Sequence, residues 1–228
     1  MMFRLTKYGW PQVVIFPLLL VSAMVLFLFA PLPVWLIVLA EVILAVFLVF
    51  SLAFFRDPYR IVPKGSSVLL APADGKVTDI EKVVEESFIG GSVLRIGIFL
   101  NIFDVHINRS PCSVRVEKIG YKEGRCVDAR NPEAGRVNES NDLFLVRTEA
   151  PQDRLIVRQI SGAIARRIVC RAKEGQELTG GERFGMIKFG SRTELYVPAG
   201  SNIRCLVEVG DRVKAGLTSL IRYNKCQD

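Results

Sequence analysis

Residues 67–100 read SVLLAPADGKVTDIEKVVEESFIGGSVLRIGIFL. Three β-prone runs, at 67–70, 76–84 and 93–100, are bounded by Gly, Pro and Asp, residues that supply turns rather than continue a strand. The pattern repeats downstream, at 114–121, 143–148, 155–160, 164–170, 194–197 and 203–209. Turn signals recur roughly every ten to fifteen residues and helical periodicity is scarce, which predicts a mainly β domain. One stretch breaks the rhythm: residues 128–141, DARNPEAGRVNESN, have almost no apolar side chains and read as a long exposed loop.

Upstream of the β pattern the chemistry is different. Residues 13–30 carry no charge, and residues 34–55 carry only Glu41. Each run is long enough to cross about 30 Å of hydrocarbon, and Pro31-Leu32-Pro33 between them favours a reversal, so a transmembrane helical hairpin over residues 1–55 is expected. Arg4 and Lys7 precede the first run, while Arg56, Arg60 and Lys64 follow the second. Both ends are therefore expected in the cytoplasm, together with domain 56–228. The apolar stretch is too long for a cleaved signal peptide, and Glu41 reads as protonated or paired inside the hairpin.

Composition agrees with this division. Half of the 228 residues are apolar and the mean hydropathy is +0.30, yet residues 56–228 carry 28 of the 30 basic and 22 of the 23 acidic side chains. Compositional disorder, collagen and a disulfide-stapled miniprotein are excluded. Five cysteines, odd in number and without a C-x-x-C pair, argue against a disulfide framework and a thiolate metal site; no metal is expected, and a reducing compartment fits best. The net charge of +7 suits an anionic lipid surface. With no aromatic-interleaved basic stripe, nucleic acid is not an expected partner.

The β region also contains an internal echo. Residues 174–181, EGQELTGG, resemble 209–216, VGDRVKAG, a Gly-bounded turn used twice at a spacing of 35 residues. Such turns join strands in the barrel-sandwich domains of lipoyl and biotin carriers, which suggests a duplicated barrel-sandwich-like core, with residues 72–77, PADGKV, as another corner. A membrane-tethered lipoyl-like adaptor without chemistry is then an alternative, since Lys76 after Asp74-Gly75 imitates a modified lysine.

Three groups could carry chemistry. Asp74 sits in a turn at a strand entry. His106, the sole histidine, follows Asp104 by two residues, so in a strand both would share a face and the carboxylate could orient the imidazole; a purely structural histidine is the competing reading. Gly190-Ser191 is ordinarily a turn, but a glycine carbonyl beside a tethered hydroxyl is also what an intramolecular acyl shift requires. No G-x-S-x-G elbow is present.

Taken together, Phe55-Arg56-Asp57-Pro58, residues 72–77, residues 103–111 (FDVHINRSP), Lys173-Glu174-Gly175 and Phe189-Gly190-Ser191-Arg192 resemble the phosphatidylserine decarboxylases, in particular their short, archaeal-type form. The resemblance spans roughly residues 55–223. It implies self-cleavage between Gly190 and Ser191 into a β chain, 1–190, and an α chain, 191–228. A pyruvoyl group derived from Ser191 would form a Schiff base with phosphatidylserine in the bilayer, and loss of CO₂ would give phosphatidylethanolamine. Asp74 matches the family's self-cleavage aspartate; Asp104 and His106 match its active-site acid and histidine. Arg109 stands where longer members carry a second histidine linked with processing, which leaves open the base for Ser191. Asn138 and Glu139 match substrate-loop positions, and Arg192 offers a cation to the lipid phosphate, a solvated arginine being the other reading. Assembly of the two chains, and of a homo-oligomer, would follow the family.

Overall fold

The computed structural model describes residues 4–63, 65, 67–125, 127–128, 131, 134–162, 167–188, 190–200 and 202–224. Lys64, Phe189, two of the five cysteines (Cys126 and Cys226) and part of the run at 164–170 lie outside the described residues. The chain divides into two compact units, 1–59 and 60–228.

In the first unit, helix α1 (Gln12–Leu28) and helix α2 (Val34–Phe54) pack against each other. Both are apolar on every side, as expected of helices not built for water. The helices stop where the prolines sit: α1 ends before Pro31, and Pro33 caps the start of α2, where Leu36 N–H reaches its carbonyl at 2.9 Å. At about 1.5 Å per residue the 21 residues of α2 extend about 31 Å, enough to cross a bilayer core; the 17 of α1 fall a turn short of the expected span. The outer ends of the hairpin are tied together, with Thr6 N–H on Phe55 O at 2.9 Å and Asp57 N–H on Arg4 O at 2.7 Å.

The second unit is β-rich. Its strands are β1 (Val68–Leu70), β2 (Gly75–Glu85), β3 (Gly91–Leu100), β4 (Ile107–Arg109), β5 (Val114–Lys122), β6 (Ser140–Arg147), β7 (Arg154–Ile160), β8 (Ile168–Cys170), β9 (Glu177–Leu178), β10 (Arg183–Ile187), β11 (Ser191–Pro198), β12 (Ile203–Cys205), β13 (Arg212–Val213) and β14 (Ser219–Tyr223), with one short helix, α3 (Ala134–Val137). An eight-stranded sheet runs β13-β2-β3-β11-β7-β6-β5-β9, and two three-stranded sheets run β1-β14-β12 and β4-β10-β8.

This topology is one seven-stranded unit used twice. Strands β4 to β10 form a continuous half inserted into the other half, β1–β3 plus β11–β14. Replacing β1, β2, β3, β11, β12, β13 and β14 by β4, β5, β6, β7, β8, β9 and β10 reproduces every strand pairing. Details repeat as well. Register slips between Val77 and Asp79 in β2, and between Val116 and Lys118 in β5. Gly210 N–H donates to Val77 O at 2.9 Å and Gly175 N–H to Val116 O at 2.7 Å. The echo at 174–181 and 209–216 is therefore the same turn of the two halves, with Gly175, Gly181, Gly210 and Gly216 all at positive φ.

The halves share an apolar core. Val77, Ile98, Leu195 and Val213 from one meet Val116, Leu145, Val157 and Leu178 from the other. They also exchange hydrogen bonds at two proline corners, Leu70 N–H to Pro111 O at 2.8 Å and Arg109 N–H to Pro72 O at 2.9 Å. The chain crosses between halves twice, from β3 to β4 and from β10 to β11. His106 lies on the first crossover and Gly190-Ser191 on the second.

Candidate active site

The two crossovers are adjacent. Ser191, first residue of β11, pairs with Leu100 at the end of β3, while Ile187 N–H at the end of β10 donates to His106 O at 3.3 Å. The order of the strands therefore sets a histidine and a serine 85 residues apart on neighbouring crossovers. Along β11 the side chains alternate: Leu195 and Val197 belong to the core, so Ser191 and Thr193 point inward on the same face. Both are fully buried. Ser191 Oγ has no hydrogen-bond partner among the described residues. Before it, Gly190 has φ +63, and no atom lies within 4 Å of where a Cβ would stand. The residue expected from sequence to supply the scissile carbonyl thus has open space on its Cα and sits in a backbone region that favours glycine.

His106 is also completely buried. Its Nδ1 lies 3.0 Å from the backbone carbonyl of Asp104. A carbonyl can only accept, so Nδ1 carries the proton and Nε2 is the nitrogen left for proton exchange when the ring is neutral. This corrects the same-face expectation for Asp104. Residues 101–104 turn instead of forming a strand, and the Asp104 carboxylate accepts Asn101 N–H at 2.8 Å, closing that turn. Asp104 does fix the imidazole, but through its main chain.

Asp74 is buried at the entry to β2, where its carboxylate takes a two-pronged contact from Arg60 at 2.6 and 2.7 Å and the Ala215 N–H at 2.8 Å. Neighbouring positions Lys76, Phe99 and Arg192 form one row across β2, β3 and β11. Asp74 therefore approaches the level of Ser191 from two strands away, about 10 Å at the usual spacing. Arg109 is buried, with Nη1 on Gly181 O at 3.0 Å.

Arg192 overturns both sequence readings: it is neither solvated nor offered to a phosphate. Pointing to the opposite face from Ser191, it is buried and donates to Glu194 Oε1 at 2.8 Å, Thr78 Oγ1 at 2.9 Å and Asp79 Oδ1 at 2.7 Å. Gly97, whose Cβ would collide with Arg192 and Asp79, makes room for the pair. The network continues through Tyr196, which donates to Glu194 at 2.6 Å, and Arg158, which reaches both Tyr196 and Asp142. Burial works against the charged form of Asp79, but hydrogen bonds from Arg192 and Thr78 and the charges of Arg192 and Arg95 hold its carboxyl below the usual range. Lys188, two residues before Gly190, is buried; burial and then the charge of Arg167 lower its pKa.

Asn138 is likewise committed to the fold. Its side chain accepts Val127 N–H at 3.0 Å and donates to Val127 O and Ser161 O, each at 2.7 Å. The reading of 128–141 as wholly exposed fails here, since Ala134, Asn138, Ser140 and Asn141 are buried. Glu139 is half-buried and accepts the Tyr121 hydroxyl at 3.1 Å. Exposed Lys76 is the second residue of the long strand β2 rather than the tip of a turn.

The sequence reading missed a buried amide chain behind the site. Asn141 donates to Gln159 at 3.0 Å, Gln159 to Asn108 at 2.9 Å, and Asn108 to Thr193 Oγ1 at 3.0 Å. Strand alternation carries its trace: along β7, Leu155 and Val157 share the inward face with Gln159, a polar residue where the apolar row should continue.

A family model for phosphatidylserine decarboxylase matches residues 47–220. The chain belongs to the phosphatidylserine decarboxylase family. Among its relatives, a phosphatidylserine decarboxylase proenzyme of Nitrosomonas europaea is 39% identical over 222 residues, covering 96% of this chain and 95% of the relative. One from Symbiobacterium thermophilum is 41% identical over 218 residues, with the same coverage of 96% and 95%. That of Desulfotalea psychrophila is 41% identical over 183 residues, 79% of this chain and 84% of its own. As a member of the phosphatidylserine decarboxylase family the chain is an enzyme and a decarboxylase, which decides against the adaptor alternative.

Proposed function

We propose that this decarboxylase converts phosphatidylserine to phosphatidylethanolamine, using a pyruvoyl group that it makes from Ser191 by cutting its own chain after Gly190. The observation that carries the reading is the buried, unpartnered Ser191 hydroxyl next to a glycine at φ +63, on the crossover that runs beside His106. In the first step Ser191 Oγ attacks the Gly190 carbonyl carbon. The carbon–nitrogen bond breaks as the ester forms, and the hydroxyl proton ends on the Ser191 nitrogen. Elimination across the Ser191 Cα–Cβ bond releases residues 1–190 with a free carboxylate. Hydrolysis of the unsaturated residue then expels ammonia and leaves the ketone.

The residues present suit such a group: Ser191 is shielded from bulk water, and the inward face of its strand continues into Thr193 and the core. A ketone at residue 191 supplies an electrophile for the substrate amine and a sink for the electron pair released with CO₂. His106 first takes up a proton at Nε2 and then gives it to the carbon that has lost CO₂, while its Nδ1–H on the Asp104 carbonyl keeps the ring in place throughout. Asp74, neutralised by Arg60, acts at the self-cleavage stage by holding the β2 corner near Ser191.

The lipid substrate stays in a bilayer, so an anchor raises its encounter rate. Helix α2 has the length and apolarity for that task, and Arg4, Lys7, Arg56, Arg60 and Lys64 favour a cytoplasmic catalytic domain. Denaturing mass spectrometry tests the central claim. It should show chains 1–190 and 191–228, the smaller one blocked at its N-terminus and reducible by borohydride, whereas Ser191→Ala should stay whole. An active wild-type enzyme that remains uncut would overturn the reading.

A further inference from the structure

Strand β7 has a second buried serine at its end. The β7–β11 register pairs Arg192 with Ile160, Thr193 with Gln159 and Leu195 with Val157. One step further, position 161 falls opposite position 191. Backbone pairing on the far side of each strand continues at that step. Ser191 still pairs with Leu100 on its β3 side, and Ser161 N–H still donates to Glu139 O at 3.0 Å on its β6 side. Cross-strand neighbours share a face, and the inward row along β7 is Leu155, Val157, Gln159 and then Ser161. Along β11 the same row is Leu195, Thr193 and Ser191. Ser161 is fully buried and, like Ser191 Oγ, its hydroxyl has no hydrogen-bond partner among the described residues. Two unsatisfied hydroxyls on facing positions are costly when separate and relieve each other when paired.

We infer that Ser161 is a positioning residue for self-cleavage: its hydroxyl pairs with Ser191 Oγ and sets the direction of attack on the Gly190 carbonyl. This rests on the proposed cleavage at Gly190–Ser191. Directly opposed strand positions have Cβ atoms about 4.5–5.5 Å apart, so a χ1 change at either serine brings the oxygens within hydrogen-bond range. The pairing also gives Asn138 a purpose. By donating to Ser161 O, it keeps residue 161 in register after the ladder of β7 has ended.

The experiment follows cleavage of newly made full-length precursor in time on denaturing gels, for wild type, Ser161→Ala, Ser161→Val and Ser161→Thr, with thermal melting of each. Ser161→Ala should slow cleavage about tenfold or more with little change in melting temperature, Ser161→Val should behave alike, and Ser161→Thr should recover most of the rate. Hydroxylamine, which captures the ester, should release correspondingly less product from Ser161→Ala, because ester formation is the step affected. Normal cleavage in both Ser161→Ala and Ser161→Val would remove Ser161 while leaving the Ser191 reading intact. A slow Ser161→Ala matched by an equally slow, equally destabilised Ser161→Thr would reduce Ser161 to a packing role. If wild type itself never cuts at Gly190–Ser191, both proposals fall together.

Discussion

At Asp104 and His106 the division of labour inside one dipeptide step decides what a mutation does. His106 is held by a main-chain carbonyl, so removing the Asp104 side chain does not remove its tether. Asp104→Asn is expected to keep near-normal decarboxylation, and Asp104→Ala to lose about 0.5–2 kcal/mol of stability through the opened 101–104 turn, a cost similar to that of a lost cap. His106→Ala should lower CO₂ release about 10²-fold or more, as loss of a general acid does, while the chain still cuts itself. A gel and a CO₂ assay on one preparation separate the two steps. Equal loss in Asp104→Asn and His106→Ala would restore the carboxylate to the mechanism. Arg109, in place of a second histidine, is buried against Gly181 O and has no titratable nitrogen near neutrality, so it cannot serve as a base.

Strand β11 has two faces with opposite tasks. Its inward face carries Ser191 and Thr193; its outward face carries Arg192 and Glu194 in a buried charge network that links it to β2 through Asp79 and, through Tyr196 and Arg158, to β7 and β6. Arg192→Ala would take the closest cation from two carboxylates, leaving Asp79 with Thr78 and the more distant Arg95 and buried Glu194 with Tyr196, and should cost about 3 kcal/mol. Arg192→Lys should not restore the loss, because an ammonium cannot reproduce the three-way fork. Thermal melting distinguishes them from wild type. The network also sets an acid limit. The Asp79 carboxyl titrates lower folded than unfolded, so its stabilisation is complete above about pH 4 and is lost as pH falls through the depressed folded value. Asp79→Asn should therefore flatten the acid side of a stability–pH profile; an unchanged profile would mean the network carries no such linkage.

For the molecule as a whole, the nested duplication explains how a cut chain holds together. Residues 191–228 comprise β11, β12, β13 and β14. Of these, β11 pairs with β3 and β7, β13 with β2, and β14 with β1, so three of the four strands are hydrogen-bonded to strands preceding the cut. The two chains are expected to migrate as one species under native conditions and to part only in denaturant, as native and denaturing mass spectrometry would show. Separation in mild buffer would contradict that pairing. The hairpin makes a second prediction at this scale. Reporter fusions after Lys7 and after Arg60 should both report cytoplasm, and one at Leu32 the other side; opposite answers for the first two would leave a single span.

The sequence by itself determined the β character, the apolar hairpin and the family, because these rest on local signals: alternation, Gly and Pro turns, uncharged runs and short motifs around Asp74, His106 and Gly190-Ser191. It also carried one trace of the duplication, since a turn with positive-φ glycines restricts residue type wherever it recurs. What a polar side chain touches was not legible. Arg192 read as a cation for phosphate because nothing local announces Asp79, 113 residues earlier, or Gly97 making the space. Asn138 read as a substrate contact because its partners, Val127 and Ser161, are joined to it only by folding. The two-residue spacing of Asp104 and His106 suggests one strand face, but Asn101 captures the carboxylate in a turn. Ser161 carried no motif at all. Its position opposite Ser191 is a property of strand register, which depends on pairing between distant segments and so exists only in the tertiary structure.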